Sequence, residues 1–273
     1  MSVQTRTRIG SLFENAKGQG TKPFIAYLTG GDPTPSRTAE LILALERGGT
    51  DLIELGVPFS DPIADGPVIQ RASERALAAG TRLPNLLEIV RQVRRTSEIP
   101  ILLFSYMNPL LRYGFDKLGA DASGAGIDGV LMTDLCVEEA EEPVGRLRRH
   151  GLDTVFLAAP TSSERRLQLV AEHSSGFVYL VSRTGVTGEQ QSVSEAAAPL
   201  ASRMRGITEL PLAVGFGIST PEQVAETARI ADGVVVGSSI VKCIEVNAEA
   251  PDLPAKLETF VRHLTSLLPA KLR

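Results

Sequence analysis

Residues 24–56, FIAYLTGGDPTPSRTAELILALERGGTDLIELG, contain the pattern that decides the fold. An apolar run, FIAYLT, comes first, a segment with helical periodicity and a charged face follows, and a second apolar run, DLIELG, ends the stretch. Near-continuous apolarity is typical of strands in a parallel sheet that is buried on both faces, because a strand with one wet face alternates. The stretch therefore predicts a strand–helix–strand unit.

The same unit recurs along the chain. Apolar runs rich in β-branched residues alternate with helical segments, and these eight runs cover 24–29, 51–56, 99–105, 128–133, 153–158, 176–182, 210–216 and 232–237. Eight such repeats predict a closed parallel (β/α)8 barrel, the TIM barrel, as a single α/β domain over residues 1–273. The alternative is an open doubly wound sheet, which the lack of a G-x-G-x-x-G turn after the first run disfavours.

Two segments add helices to this repeat. Residues 1–16 place Ile9, Leu12 and Phe13 on one apolar face, which predicts an N-terminal helix over the bottom of the barrel. Between Ala64 and Pro100, two helical patterns follow the second strand, so we expect an inserted helix there.

Composition and charge disfavour several classes of function. The chain has 28 basic and 32 acidic residues and no basic tract of the kind that follows a nucleic-acid backbone. No apolar run approaches the roughly 20 residues that cross a bilayer, and residues 1–20 lack the apolar core of a signal peptide. We therefore expect a soluble cytoplasmic protein without nucleic-acid or membrane partners.

The cysteines and histidines do not suggest a metal site. Cys136 and Cys243 are too few for a disulfide framework, and neither has a second ligand at metal-binding spacing. His150, His173 and His263 each lie in or at the end of a charged, helix-like segment, away from the loops with catalytic character. We expect no metal.

The loop after the second strand carries the candidate chemistry. Residues 54–67, ELGVPFSDPIADGP, place Glu54 at the end of an apolar strand and Asp61 and Asp65 in a segment too rich in Pro and Gly to be regular. Buried charges cost stability unless they are paired or used. On spacing alone, turn capping by Asp61 and Asp65 is an equally good interpretation.

Glycines after the last two predicted strands indicate a phosphate site. GFGIS contains Gly215 and Gly217, and GSSIVK places Gly237 and Ser238 at the start of a helical turn. In TIM barrels the loops after strands seven and eight often bind phosphate through backbone N–H groups and a helix N-terminus. The polar, glycine-containing loop at 183–194 has the character of a lid.

These segments together resemble a known family. The run from Glu54 to Gln70 is similar to the signature of the tryptophan synthase alpha subunit, and matches extend in order along essentially the whole chain. They are TGGDPTP (29–35), ELGVPFSDPIADGPVIQRA (54–72), YMNPL (106–110), DGVLMTDL (128–135), YLVSRTGVTG (179–188), GFGISTPEQV (215–224) and GSSIVKCIE (237–245). The resemblance implies a carbon–carbon lyase of tryptophan biosynthesis, which cleaves indole-3-glycerol phosphate to indole and glyceraldehyde 3-phosphate.

The resemblance also implies residue roles. Glu54 is expected to be the general acid–base and Asp65 the carboxylate at the indole N–H, both within a catalytic loop at 54–70. Apolar Ile53 and Leu55 flank Glu54, so we expect desolvation to raise its pKa. Substrate-binding roles fall on Tyr179, Thr187, Tyr27, Ile63 and Leu131, and phosphate-binding roles on Gly188, Gly217, Gly237 and Ser238.

A partner follows from the same resemblance. Family members dock on a beta subunit that carries pyridoxal phosphate, as an alpha2beta2 heterotetramer, which implies no cofactor on this chain. The expected interface contains Asp61, Asn108 and Asp134. Where the family often has Asp-Leu-Pro or Asp-Val-Pro, this chain has Cys136 after Asp134 and Leu135, which changes the expected contact but not the catalytic residues.

Three other functions fit parts of the pattern. A sugar-phosphate epimerase would share the phosphate-binding glycines, but such enzymes usually need metal-binding histidines at strand ends. A non-catalytic activator subunit would keep the fold, although intact Glu54, Asp65 and Thr187 disfavour it. A stand-alone lyase that releases free indole stays open, because dependence on a partner rests on loop dynamics rather than on residue identity.

Overall fold

The computed structural model describes residues 7–181, 196–215 and 217–269. Over these residues the chain forms nine parallel strands and twelve α-helices. The strands are β1 Phe24–Thr29, β2 Leu52–Gly56, β3 Ile101–Ser105, β4 Gly129–Met132, β5 Asp153–Val155, β6 Leu157–Ala158, β7 Val178–Val181, β8 Leu212–Gly215 and β9 Gly233–Val236. The helices are α1 Arg8–Gln19, α2 Pro35–Gly48, α3 Pro67–Ala78, α4 Leu83–Val93, α5 Met107–Tyr113, α6 Phe115–Ala125, α7 Glu141–Arg148, α8 Glu164–His173, α9 Ala197–Arg205, α10 Pro221–Ile230, α11 Ser238–Val246 and α12 Leu253–Leu264.

The fifth predicted strand is divided into β5 and β6. Each part pairs with a different neighbour, and this closes the barrel. The sheet order is β5-β4-β3-β2-β1-β9-β8-β7-β6, so the two ends of the sheet are consecutive in the chain. Val155 of β5 is in register with Leu131 of β4, whereas Leu157 of β6 is in register with Tyr179 of β7. Between them, the Phe156 carbonyl accepts a hydrogen bond from Tyr179 N at 3.1 Å. The predicted TIM barrel is confirmed, with the run at 153–158 divided between its two neighbours.

Local sequence signals define the helix ends. Thr7 caps α1 by accepting a hydrogen bond from Gly10 N, and Gly20 ends that helix in the left-handed region at φ 67°. Thr220 begins α10 with a capping box that includes Gln223. These signals are local, and they set the ends of helices whose presence the apolar periodicity predicts.

The barrel interior is a layered apolar core. Inward-facing side chains from all parts of the sheet fill it, and they include Ile25, Leu52, Leu102, Leu131, Val155, Phe177, Ala213 and Val235. Ile9 and Phe13 of α1 pack against this cluster and are 0% and 4% exposed, so α1 covers the bottom of the barrel. Two helices, α3 and α4, follow β2. The predicted N-terminal and inserted helices are therefore both present.

The outer faces of the strands pack on the surrounding helices. The largest cluster of buried side chains joins these outer faces to α2, α4, α6, α11 and α12. Across the described ranges, no helix combines the length and the apolar character that a bilayer span requires.

Candidate active site

A cavity lies at the carboxyl ends of the strands, with about 730 Å³ of empty space when the open solvent at its mouth is included. Its walls come from most of the strands and from the loops that follow them, as expected for the functional face of a TIM barrel. The lining side chains are Tyr27, Glu54, Ala64, Asp65, Ile69, Phe104, Thr133, Leu157, Tyr179, Val181, Gly217, Ile218, Val235, Gly237 and Ser238. Two carboxyl groups, Glu54 and Asp65, therefore share a largely apolar space.

Glu54 projects from β2 into the interior of the barrel. It is 1% exposed, and its Oε1 has no hydrogen-bond partner among the described residues. Burial raises the pKa of this carboxyl to about 8, so the group holds a proton at neutral pH. Ile53 and Leu55, which suggested this shift, pack on the outer face of the sheet, and the desolvation comes instead from the cavity walls.

Asp65 lies at the end of the loop that follows β2 and is 6% exposed. Tyr106 Oη donates a hydrogen bond to Asp65 Oδ2 at 3.1 Å and accepts one from Ala64 N at 2.9 Å. Burial raises the pKa of the Asp65 carboxyl to about 6, while the hydrogen bond from Tyr106 acts in the opposite direction. Asp65 is therefore mostly ionised at neutral pH, where Glu54 is mostly protonated. Two such carboxyl groups with separated pKa values are suited to acid–base chemistry.

Tyr106 is a contact that the sequence did not indicate as functional. It directly follows β3, in the YMNPL segment, and its hydroxyl bonds both to the backbone at Ala64 and to the side chain of Asp65 in the loop after β2. A hydroxyl-bearing residue immediately after a barrel strand was the available signal, since such positions face the site.

Tyr27 and Tyr179 line the cavity, as the resemblance implies. Burial, and next the charge of Asp65, raise the pKa of the Tyr27 hydroxyl, while burial and the charge of Glu54 raise the pKa of Tyr179. Each ring lies against a glycine. A Cβ at Gly56 would come 2.3 Å from Tyr27 Oη, and one at Gly215 would come 2.3 Å from Tyr179 Oη. The two glycines leave space for the tyrosine rings.

Two predicted pocket walls lie elsewhere. Ile63 is 79% exposed and does not line the cavity, because the turn in which Asp65 N donates to Pro62 O directs this side chain to solvent. Leu131 is fully buried in the barrel interior, and Thr133, two residues further along the same face, lines the cavity. The structure thus corrects both positions.

The other apolar walls were not identified from the sequence. They are Ile69, Phe104, Leu157, Val181, Ile218 and Val235. Alternation along a strand shows which residues point inward, but it does not show at what height in the barrel each side chain lies. The height depends on strand stagger, which is a property of the closed sheet.

The glycine-rich end of the cavity has the character of an anion site. Gly217, Gly237 and Ser238 line the cavity, and α11 begins at Ser238 without a side-chain cap on its first N–H groups. Gly217 has φ 76°, a conformation that favours glycine. Ser239 Oγ donates to Ile218 O at 3.3 Å and joins α11 to the loop after β8. Free N–H groups and the helix dipole together attract anions.

The remaining predicted residues divide into two groups. Thr187, Gly188 and the segment 183–194 lie outside the described residues. Asp61, Asn108 and Asp134 are exposed, and Asp134 Oδ1 accepts a hydrogen bond from Met107 N at 2.6 Å. That contact joins the loops after β3 and β4. Within the described part of the chain, no group of three or more His, Cys, Asp or Glu side chains is placed to hold a metal ion.

The fold places the chain in the TIM-barrel class, with two carboxyl groups and a glycine-rich helix start in one cavity at the carboxyl ends of the strands. Comparison with known proteins gives the particular family. The family model "Tryptophan synthase alpha chain" matches residues 13–268. The chain therefore belongs to the tryptophan synthase alpha chain family, as the sequence resemblance indicated.

Individual relatives support the assignment over nearly the full length. The chain is 64% identical to the tryptophan synthase alpha chain of Solibacter usitatus over 258 residues, which are 94% of this chain and 97% of that protein. It is 50% identical to the alpha chain of Geotalea uraniireducens, over 94% of this chain and 96% of that one.

Solved structures agree with this assignment. A chain of Mycobacterium tuberculosis tryptophan synthase superposes with a TM-score of 0.90 at 35% identity, covering 98% of this chain and 100% of that chain. The tryptophan synthase subunit alpha of Legionella pneumophila gives a TM-score of 0.87 at 36% identity, covering 96% and 98%.

Proposed function

We propose that the chain cleaves indole-3-glycerol phosphate to indole and glyceraldehyde 3-phosphate, acting as the alpha subunit of tryptophan synthase. The observation that carries this proposal is the pair of carboxyl groups in one apolar cavity. Glu54, with a pKa of about 8, is ready to donate a proton, and Asp65, with a pKa of about 6, is ready to hold a positive charge. The family assignment supports the choice of substrate.

The reaction needs a proton on the indole ring before the carbon–carbon bond can break. Indole C3 is a poor leaving group as an anion, so the Glu54 carboxyl first donates its proton to C3. The ring then carries positive charge at its nitrogen. The Asp65 carboxylate accepts a hydrogen bond from that N–H and stabilises this charge.

The second step returns the proton to Glu54. The Glu54 carboxylate accepts the proton of the substrate carbinol O–H, and a C=O bond forms as the bond to indole C3 breaks. The electron pair of the broken bond restores the aromatic ring and neutralises the ring nitrogen. Glu54 ends protonated, so the residue is ready for another turnover, and the products are a neutral indole and an aldehyde.

The rest of the cavity binds the two ends of the substrate. Phe104, Leu157 and the rings of Tyr27 and Tyr179 provide an apolar enclosure for the indole. The N-terminus of α11, with Gly237 and Ser238, binds the phosphate through backbone N–H groups. Gly217 contributes to the same end, and we expect Thr187 and Gly188 to complete the enclosure.

We further propose that a beta subunit docks at the carboxyl end of this barrel, in an alpha2beta2 heterotetramer in the cytoplasm. Asp61, Asn108 and Asp134 are exposed at that end, next to the loop that carries Asp65. Indole is apolar and would escape from an open site, so a partner that receives it directly retains it. Pyridoxal phosphate belongs to that partner, and this chain needs no cofactor.

The test is indole release from indole-3-glycerol phosphate by the purified chain, alone and with a cognate beta subunit. Slow release alone with strong stimulation by the partner supports the proposal. Fast release without the partner would indicate a stand-alone lyase, and no cleavage by a folded chain under either condition would overturn the catalytic assignment.

A further inference from the structure

An ionic network joins the two helices that carry opposite ends of the site. Glu245 on α11 accepts hydrogen bonds from Arg71 Nε at 2.6 Å and from Arg75 Nη1 at 3.0 Å, and both arginines belong to α3. Arg71 Nη2 and Lys242 Nζ also donate to the Glu245 carboxylate, at 3.1 and 2.8 Å. The carboxylate of Glu245 is therefore the centre of the contact between these helices.

A second carboxylate fixes the network to the barrel. Arg75 binds Asp32, in the loop after β1, through Nε at 2.7 Å and Nη2 at 2.9 Å. Asp32 is 1% exposed and accepts both bonds, and such bidentate geometry fixes the orientation of the guanidinium group. Arg75 thus connects the sheet, α3 and α11 at one point.

Each helix begins at a functional group. Asp65 comes directly before Gly66, the N-cap of α3, and Gln70 Nε2 of that helix donates to the Asp65 carbonyl at 2.8 Å. The other helix, α11, begins at Ser238, the proposed phosphate end. The relative position of α3 and α11 therefore sets the separation between the catalytic carboxylate and the phosphate-binding N–H groups.

Near the cavity, the contact between these helices is apolar and small. Ile69 and Ala72 of α3 pack with Val241 of α11 and with Tyr27. Small apolar contacts permit sliding, whereas charge-assisted bidentate bonds fix orientation. The arginines of the network alternate with these apolar residues along α3, and their bonds to Glu245 supply the direction that the apolar contact lacks.

We propose that Glu245 is a positioning residue, which sets the distance between Asp65 and the phosphate-binding end of α11 by holding α3 against α11. The proposal rests on the proposed function, because only a substrate that spans both ends is sensitive to this distance. A displacement of about 1 Å far from the reacting atoms can reduce rate greatly. Inorganic phosphate touches only one end and is not sensitive to it.

The experiment compares Glu245→Gln with Glu258→Gln in the full chain. Glu258 is a matched control, since it accepts from Arg47 on α2 and Arg262 on α12, both at 2.8 Å, away from the cavity. Measurements are kcat/KM for indole-3-glycerol phosphate, inhibition by inorganic phosphate and Tm. We expect Glu245→Gln to lower kcat/KM by roughly 3- to 30-fold, with phosphate inhibition unchanged. Glu258→Gln should leave kcat/KM unchanged.

Arg71→Gln is a milder second variant, because it leaves the Arg75–Asp32 pair intact, and it should lower kcat/KM in the same direction. Equal kcat/KM values for Glu245→Gln and Glu258→Gln, in the presence of an active wild type, would overturn the positioning role alone. A parallel loss of phosphate inhibition would also overturn the positioning role, because it would show that Glu245 acts only on the phosphate end of α11. A folded wild type that cleaves nothing would instead overturn the proposed function, and the positioning role with it.

Discussion

Two buried carboxyl groups, Asp128 at the bottom of the barrel and Glu54 in the cavity at the carboxyl end, have opposite surroundings. At the bottom, Asp128 is 5% exposed and accepts hydrogen bonds from Arg8 Nη1 at 3.0 Å, Arg94 Nη2 at 3.0 Å and Ile101 N at 2.8 Å. At the carboxyl end, Glu54 is 1% exposed and its Oε1 has no partner among the described residues.

This difference separates stability from function. Burial raises the pKa of both carboxyl groups, but arginines and a backbone N–H counteract the effect at Asp128. A carboxylate with hydrogen-bond and charge partners fixes the chain, whereas one without them can exchange a proton near neutral pH. The residue type is nearly the same at both ends, and the partners determine its use.

The largest expected effect is the loss of turnover when the carboxyl groups of the cavity are replaced by amides. Glu54→Gln and Asp65→Asn, measured separately by indole release, should each lower kcat by about 10²–10⁴-fold, as acid–base groups do. Circular dichroism and Tm should show that both variants are folded. A Glu54→Gln variant that retains most of the wild-type rate would contradict the role of this residue as the acid.

Replacement of Asp128 is expected to have the opposite result, a loss of stability without a loss of activity. Asp128→Asn leaves Arg94 buried without its charge partner, and should lower the free energy of unfolding by about 3–5 kcal/mol, measured by denaturant titration. The kcat/KM of the folded variant should be unchanged. The control is Asp116→Asn, which breaks exposed pairs with Arg146 and Arg149 and should change stability by about 1 kcal/mol or less. A similar effect of the two substitutions would remove the distinction between buried and exposed carboxylates.

The Glu54 carboxyl also predicts a pH dependence of stability. Glu54 has a folded pKa of about 8, above its ordinary value of 4.5, so the folded state binds a proton that the unfolded state has released. Stability should therefore fall as the pH rises from about 4.5 to about 8, by a few kcal/mol. Glu54→Gln should lack this decline, so its unfolding free energy should gain on that of the wild type across the same interval. Parallel curves for the two proteins would contradict the raised pKa.

The smallest expected effect concerns the hydrogen bond from Tyr106 to Asp65. The wild-type kcat/KM profile should have an acid limb near pH 6, from Asp65, and an alkaline limb near pH 8, from Glu54. Tyr106→Phe removes the donor that lowers the Asp65 pKa, so the acid limb should move up by about one unit. Tyr113→Phe, which loses a surface contact with Asp121, is the control and should leave the profile unchanged.

Much of the fold follows from the sequence because parallel strands buried on both faces give continuous apolar runs. The run at 153–158 is an instructive exception. Its division at Phe156 depends on two different neighbours, β4 and β7, and no local signal records which half pairs with which. Closure is a property of the whole sheet.

The site was predictable to the extent that it resides in motifs. Glu54 and Asp65 stand in one such stretch, and the structure brings them into one cavity. Ile63 is adjacent in sequence but points outward, because a turn reverses the chain between Pro62 and Asp65. Leu131 and Thr133 face the same side of β4, and only the barrel stagger decides which of them reaches the cavity. Turn geometry and stagger are tertiary properties that neither spacing nor periodicity encodes.

The position of α1 over the bottom of the barrel affects how ligands enter and leave the cavity. Ile9 and Phe13 fill the floor of the barrel, so the described residues close that end, and the cavity lies at the other end. Under the proposed function, substrate, aldehyde and indole all pass through the carboxyl end, and a product that stays there delays binding of the next substrate. The product that lies nearer the opening then leaves first. Product release can therefore limit turnover as much as the cleavage of the carbon–carbon bond.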